Sequence, residues 1–450
     1  MAGGTKKVSA ASARSHTRKS KQTTSLNLSP IMIVQVGVAL LAGLLGWAYV
    51  AIKPPPPKVC GTPGGPPVTS PRVQLSDGRH LAYKEKGVPK EEAKYKIIVI
   101  HGFDSSKDLD LAVSQEFIEE LGIYFLLFDR AGYGESDPHP KRSVKGEALD
   151  IQELADKLDI GSKFYLIGFS MGAYPVWSCL KYIPHRHDRA SLVVPFVHYW
   201  WPRFPNRVAD ISKKGIKTLP ARDRWTFRVA HYAPWLFNWW MTQKWFPNLS
   251  IMTGNMAVFC DPDLEMLKIL SSTPTVGQEK IQQQGIYESL YRDILVGYSK
   301  WDFGPLDIAN PFPNNEGSIH IWQGREDRII PSLMNRYIAE KLPWIRYHEV
   351  PDAGHLMMFN STFIGSCRTV GDANRNQMSG QFIGSCRTVG KAAPSKGVPN
   401  VVKRRAIKRR AQFIKRCAEH DGEALECLGW RARLSSGGKG RAMRVAALAI

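Results

Sequence analysis

Three stretches, KIIVIHG (96–102), IYFLLFD (123–129) and FYLIGFS (164–170), constrain the fold of this 450-residue chain more than any other feature. Each is short, unbroken and rich in β-branched and aromatic residues, and a fourth, ASLVVPFV (190–197), follows them. Unbroken apolar runs of this length fit strands buried on both faces, because a sheet with one wet face would alternate. The segments between the first three have helical composition, which makes the strands mainly parallel with helical crossovers. The fold class is therefore α/β. RVQLSDGRHLAYKEKG (72–87) does alternate, around Asp77-Gly78, and reads as a hairpin.

Within that frame Ser170 falls between the strand FYLIG and the helix-like MGAYPVWSCLKYI. A bare G-x-S-x-G is a weak signal, but at a strand-to-helix turn it describes a nucleophile elbow. The turn strains the serine backbone, and Gly168 and Gly172 remove side chains that would crowd it. The Met171 N–H then stands near the start of a helix, where partial positive charge favours an oxyanion. A second donor is expected after an earlier central strand, and His101-Gly102-Phe103 supplies it through the Phe103 N–H. A nucleophilic serine needs a base and an orienting acid. SIHIWQGREDRIIP (318–331) reads as a strand ending in a polar turn with Asp327, and RYHEVPDAGHLMMF (346–359) as one ending in a Gly-His turn with His355. Ser170, Asp327 and His355 follow the order of this architecture. Glu326 is the second choice of acid and Asp302 the third, whereas His101, His198, His320 and His348 read as structural. The chemistry calls for no cofactor and no metal.

IHGFDSS, FDRAGYGESDP, GFSMG, GREDRIIP and DAGHL resemble the landmark turns of the α/β-hydrolase superfamily. Residues 72–359 resemble in particular a plant-type, membrane-anchored, serine-nucleophile subgroup marked by VVPFVHYWWPRFP (193–205). The resemblance implies an eight-stranded, mainly parallel sheet, with Ser170, Asp327 and His355 as the triad and Phe103 and Met171 as oxyanion donors. It also implies that Asp129–Ser136 is a structural turn, and that about 198–317, inserted before the acid-bearing strand, forms a helical cap. That insertion holds eight of the thirteen tryptophans, which either build the cap's own core or line an acyl pocket.

Ahead of this domain lies IMIVQVGVALLAGLLGWAYVAI (31–52), without a charge and apolar on all sides. Its 22 residues span roughly 33 Å, the thickness of a bilayer core, and read as a transmembrane helix. The residues after it, KPPPPKVCGTPGGPPVTSP (53–71), read as a stiff linker and lack the small-residue cleavage site of a signal peptide. Six basic residues and no acid precede the span in segment 1–30, so the N-terminus is expected in the cytosol and the enzyme domain on the far side. Sequons at Asn248 and Asn360 are consistent with the secretory pathway. A plastid or other organelle membrane is the alternative, since the leader is also rich in Ser and Thr.

The net charge of +21 sits at the ends of the chain: +6 in residues 1–30 and +13 in 360–450 leave about +2 for the rest. Nucleic-acid binding by the catalytic domain is therefore not expected. Seven scattered cysteines without C-x-x-C spacing indicate neither a zinc site nor a disulfide framework. Past Phe359 the family pattern stops, and FIGSCRTVG at 363–371 recurs at 382–390 before the basic KRRAIKRR. This tail reads as a solvated extension, with an anionic-lipid or nucleic-acid arm as the other reading. The function expected is a membrane-anchored serine hydrolase acting on a lipid or other hydrophobic ester. A receptor with little turnover, a C–C bond hydrolase and a thioesterase are the alternatives.

Overall fold

The computed structural model describes residues 3–4, 29–111, 113–201, 214–245, 249–272, 278–314 and 317–359. Nearly all of the basic leader, Asn248, Asn360, residues 202–205 of the VVPFVHYWWPRFP stretch, the FIGSCRTVG repeat and the tail lie outside the described residues.

The chain divides into two units, Met1–Lys53 and Pro54–Ile450. In the first, Pro30–Ile52 forms a 23-residue helix, α1, about 35 Å long. The Ser29 hydroxyl caps it by accepting the Met32 N–H at 3.3 Å, and Pro30 occupies the first turn, where its missing N–H costs nothing. The prolines from Pro54 onward prevent its continuation. None of its side chains is buried, and it is long and apolar enough to cross a membrane.

The second unit is built on strands β1 (Arg72–Gln74), β2 (His80–Gly87), β3 (Tyr95–Ile100), β4 (Ile123–Phe128), β5 (Phe164–Phe169), β6 (His187–Val193), β7 (Ser318–Gly324) and β8 (Ile345–Val350). They form one sheet in the order β1-β2-β4-β3-β5-β6-β7-β8. Strand β2 runs antiparallel to β1 and β4, and the six from β4 to β8 are parallel. Every residue of β4 and β7 is buried, as unbroken apolar runs require when both faces are covered. The hairpin turns at Asp77-Gly78, where Gly78 has φ +89°. Strand β6 stops at Val193, short of the Val197 that its apolar run suggests. Val194 takes φ +44° and Pro195 has no N–H for the ladder, so the chain turns off there.

Helix α2 (Gln115–Leu121) precedes β4, and α3 (Val144–Lys157) and α4 (Ala173–Tyr182) flank β5 in sequence. One face of α3 buries Ala148, Ile151 and Ala155, while α4, which packs against α3, β5 and β6, is buried without a break from Ala173 to Leu180. Between β6 and β7 lie helices Ala221–Tyr232, Phe237–Thr242, Asp261–Ser272 and Arg292–Gly297, the last entered through a π-helical turn at Tyr287–Tyr291. Trp201 and Trp301 pack here with Phe196 and His198, whereas Trp225, Trp235 and Trp245 are exposed.

The proline-rich segment is more than a spacer. Lys58 N–H donates to the Gln284 carbonyl at 3.0 Å and Cys60 N–H to Gln284 Oε1 at 3.2 Å. Thr69 and Ser70 N–H groups donate to the Glu135 carboxylate at 2.8 and 2.9 Å. Proline keeps this stretch out of helix and sheet, so its backbone donors find acceptors on the domain surface instead.

A buried ionic cluster fastens the residues after β4 to the cap. Asp293, from helix Arg292–Gly297, takes a bidentate pair from Arg130 at 2.5 and 2.6 Å and a third guanidinium bond from Arg142 at 3.0 Å. The Tyr133 and Tyr174 hydroxyls donate to it at 2.8 and 2.7 Å, and Arg142 also pairs with Glu147 of α3. Burial alone would raise the Asp293 pKa, but the two guanidinium groups hold it at about 2. Two cations balance two carboxylates, so removing one leaves an uncompensated buried charge. Asp293→Ala should therefore lower the unfolding free energy by about 3–5 kcal/mol. Chemical unfolding would measure the loss, and an unchanged midpoint would show that the cluster does not hold the cap to the sheet.

Candidate active site

The carboxyl ends of β3, β5, β7 and β8 converge on one place, as expected of ligand sites in parallel sheets. Ser170 follows β5 directly and has φ +49°, a left-handed conformation that serine rarely adopts. Two glycines make room for it. A Cβ on Gly168 would overlap the Val176 side chain and the Gly172 carbonyl oxygen, and one on Gly172 would overlap the carbonyl oxygens of Ile100 and His101. Glycine at 172 thus lets the elbow seat against the end of β3. From the other side the Phe196 N–H donates to the Ser170 carbonyl at 3.0 Å.

The structure brings Ser170, His355 and Asp327 together. Ser170 Oγ lies 3.0 Å from His355 Nε2, and His355 Nδ1 lies 2.8 Å from Asp327 Oδ2. A carboxylate can only accept, so Nδ1 carries the proton and Nε2 offers its lone pair to the serine hydroxyl. Burial disfavours a charged His355, but Asp327 and, further off, Asp263 outweigh it and raise its pKa above 6.5. Asp327 Oδ1 accepts the N–H groups of Ile329 and Ile330 at 2.9 and 2.8 Å, and Oδ2 accepts Gln323 Nε2 at 3.1 Å. Gln323 Oε1 in turn accepts Asn335 Nδ2 at 2.9 Å, which also donates to the Pro195 carbonyl at 3.0 Å.

Three of these partners escaped the sequence reading. Asp263, on the cap helix Asp261–Ser272, accepts the Leu356 N–H at 2.7 Å and so holds the turn that carries His355. Its carboxylate occupies the space a Cβ on Gly354 would need. Asp263 is separated from His355 by more than ninety residues, and nothing local signals it. Gln323 and Asn335 are the others, and a polar residue at the end of the apolar strand SIHIWQG was the one visible hint.

Phe103 and Met171 line the same cavity as Ser170. Met171 stands second in the helical turn Ser170–Gly172, where its N–H has no intrahelical acceptor. The Arg130 N–H donates to His101 Nε2 at 3.0 Å, which leaves Nδ1 to donate to the Gly102 carbonyl at 2.8 Å. His101, buried and beside the Arg130 guanidinium, has its pKa pushed well down and braces the turn as a neutral ring. His198 and His320 are likewise buried and hydrogen-bonded, the latter to His348 at 2.9 Å. Glu326 is exposed, and Asp302 accepts the Tyr182 hydroxyl at 2.6 Å, so neither of these alternative acids joins the site.

The cavity measures about 90 Å³ and its wall is mainly apolar, with Phe196, Phe227, Leu249, Val258, Ile294 and Ile329 among its residues. No tryptophan lines it, so among the described residues the cap's tryptophans belong to its packing and its surface.

Residues 97–362, more than half of the chain, match the sequence profile of the alpha/beta hydrolase family. The chain belongs to that family. Among solved structures it is similar to a thermophilic esterase from Thermogutta terrifontis, at 18% identity over 68% of this chain and 97% of that chain, with a TM-score of 0.44. It is also similar to an esterase from Exiguobacterium antarcticum (16% identity, 68% of this chain and 100% of that chain, TM-score 0.40). A bromoperoxidase from Bacillus anthracis is a third (16%, 67% and 98%, TM-score 0.44). Comparison with curated proteins gives no match.

The geometry around His355 has a direct solution test. In an NMR titration of the full chain in detergent, His355 should titrate above 6.5, and Asp263→Asn should lower that midpoint because an anion favouring the imidazolium is gone. A wild-type midpoint below 6.5 would show that burial outweighs both carboxylates.

Proposed function

We propose that this member of the alpha/beta hydrolase family is a serine hydrolase that cleaves a carboxylic ester through an acyl-enzyme. The observation that carries the reading is the unbroken hydrogen-bond chain from Ser170 through His355 to Asp327, set at the wall of an apolar cavity. His355 Nε2 takes the Ser170 proton as Oγ bonds to the ester carbonyl carbon, and Asp327 stabilises the imidazolium. The oxyanion formed is met by the N–H groups of Met171 and Phe103. His355 then returns the proton to the departing alcohol, and a water activated by the same imidazole releases the acid.

The apolar wall supports a hydrophobic acyl group, and a volume of about 90 Å³ suits a chain of a few carbons, beyond which a lipid chain would extend out of it. The uncharged helix α1 and its basic leader support a single-pass anchor with the N-terminus cytosolic, as in the plant-type anchored subgroup that the chain resembles. Protease added to sealed microsomes should spare everything after Lys53, and digestion of that region would reverse the orientation.

A fluorophosphonate should label Ser170, because the reagent mimics an acyl centre and needs an activated serine. Ser170→Ala and His355→Ala should each abolish turnover of simple esters, and their combination should add little. Asp327→Asn should lower kcat by about four orders of magnitude through lost orientation and charge support. A folded Ser170→Ala protein that still labels, or still hydrolyses the wild-type substrate, would end this reading.

A further inference from the structure

Asp223 is a carboxylate that the triad does not use. It belongs to the first turn of helix Ala221–Tyr232, is 8% exposed, and lines the cavity that holds Ser170. One of its oxygens, Oδ1, accepts the Ser250 N–H at 2.7 Å. Among the described residues no donor is in hydrogen-bond contact with the oxygen that faces the cavity and no cation forms an ion pair with the group, although Arg222 lies near enough to favour its ionised form. The Ser250 hydroxyl also stands close to the carboxylate and favours its ionised form. A half-satisfied carboxylate in an apolar wall costs free energy that packing would avoid, unless a ligand completes it.

We propose that Asp223 is a specificity residue that selects substrates whose acyl portion carries a hydroxyl group. The inference rests on the esterase reading above and narrows its substrate class. A hydroxyl donates one hydrogen bond to the open carboxylate oxygen and presents only carbon to the remaining wall. An ammonium group fits less well, because Arg328 lines the same cavity and a second cation would have to be stripped of water beside it. Burial raises the Asp223 pKa, in keeping with a carboxylate that the protein alone leaves poorly solvated. Sites built to bond a substrate hydroxyl reject analogues that lack it far more strongly than apolar pockets reject an extra methylene.

The test uses ethyl butanoate and ethyl hexanoate, each with and without a hydroxyl on carbon 3 or on the terminal carbon, and the full chain in detergent. For the wild type, kcat/KM should favour at least one hydroxylated ester over its plain partner by about tenfold or more. In Asp223→Leu that ratio should fall to about one, and Asp223→Asn, which keeps an acceptor, should fall between. The same esters bound to Ser170→Ala, followed by saturation-transfer NMR, read the preference without turnover. A preference in Ser170→Ala that disappears when Asp223→Leu is added supports the proposal even if Ser170 proves not to be a nucleophile. Equal binding and equal rates for every pair, or a preference that survives Asp223→Leu, overturn it. Fluorophosphonate labelling of Ser170 alongside either result shows that the esterase reading stands on its own.

Discussion

Asp327, a buried carboxylate with no Lys or Arg paired to it among the described residues, sets the conditions that much of the site must meet. Its side chain is fully shielded, and an uncompensated charge there would be strongly destabilising. Four donors answer it: two backbone N–H groups from Ile329 and Ile330, the Gln323 amide and the His355 imidazole. Each answer imposes a further condition. The chain after β7 must curl so that two N–H groups point back, and Gln323 must be held by Asn335, which in turn binds the Pro195 carbonyl. Pro195 precedes Phe196, whose N–H seats on Ser170. The polar demand of one acid therefore runs through β7, the helix Leu333–Lys341 and the exit of β6 before it returns to the elbow.

Sheet and cap divide the work differently from a scaffold and its cover. The sheet places Ser170 and Asp327 at strand ends whose geometry is fixed by sterics, chiefly the approach of Gly172 to the carbonyls of Ile100 and His101. The cap supplies Asp263 to the His355 turn and Asp293 to the residues after β4. It is thus fastened to the sheet through charge buried in both places. These polar contacts act beside apolar packing, since Leu264, Leu267 and Leu270 of helix Asp261–Ser272 pack with Phe259 and Leu356.

This explains which features were legible in the sequence. The strands were, because burial on both faces leaves unbroken runs such as IYFLLF and YKIIVI. Ser170, Asp327 and His355 were, because each sits in a turn whose chemistry is local. Asp263, Gln323 and Asn335 were not, since their roles arise only when distant segments meet. The end of β6 was overrun because Val-Val-Pro-Phe-Val is apolar whether extended or turned, and only the φ of Val194 separates the two. The proline-rich segment hid its attachment to Glu135 and Gln284 for a similar reason: proline excludes helix and sheet but says nothing of where acceptors lie.

Three aspartates of the cap, Asp293, Asp263 and Asp223, are each more than nine-tenths buried, yet the protein satisfies them to very different degrees. Asp293 meets two guanidinium groups and two hydroxyls, more than any ligand could add, and its place is structural. Asp263 meets a backbone N–H and the Cys260 thiol and thiol-bearing residue's N–H, bonds enough to hold a turn while its charge still reaches His355. Asp223 meets one N–H and faces the cavity. The number of protein partners falls from the first to the last. Along that series the open bonding capacity moves from the core toward the cavity that holds Ser170.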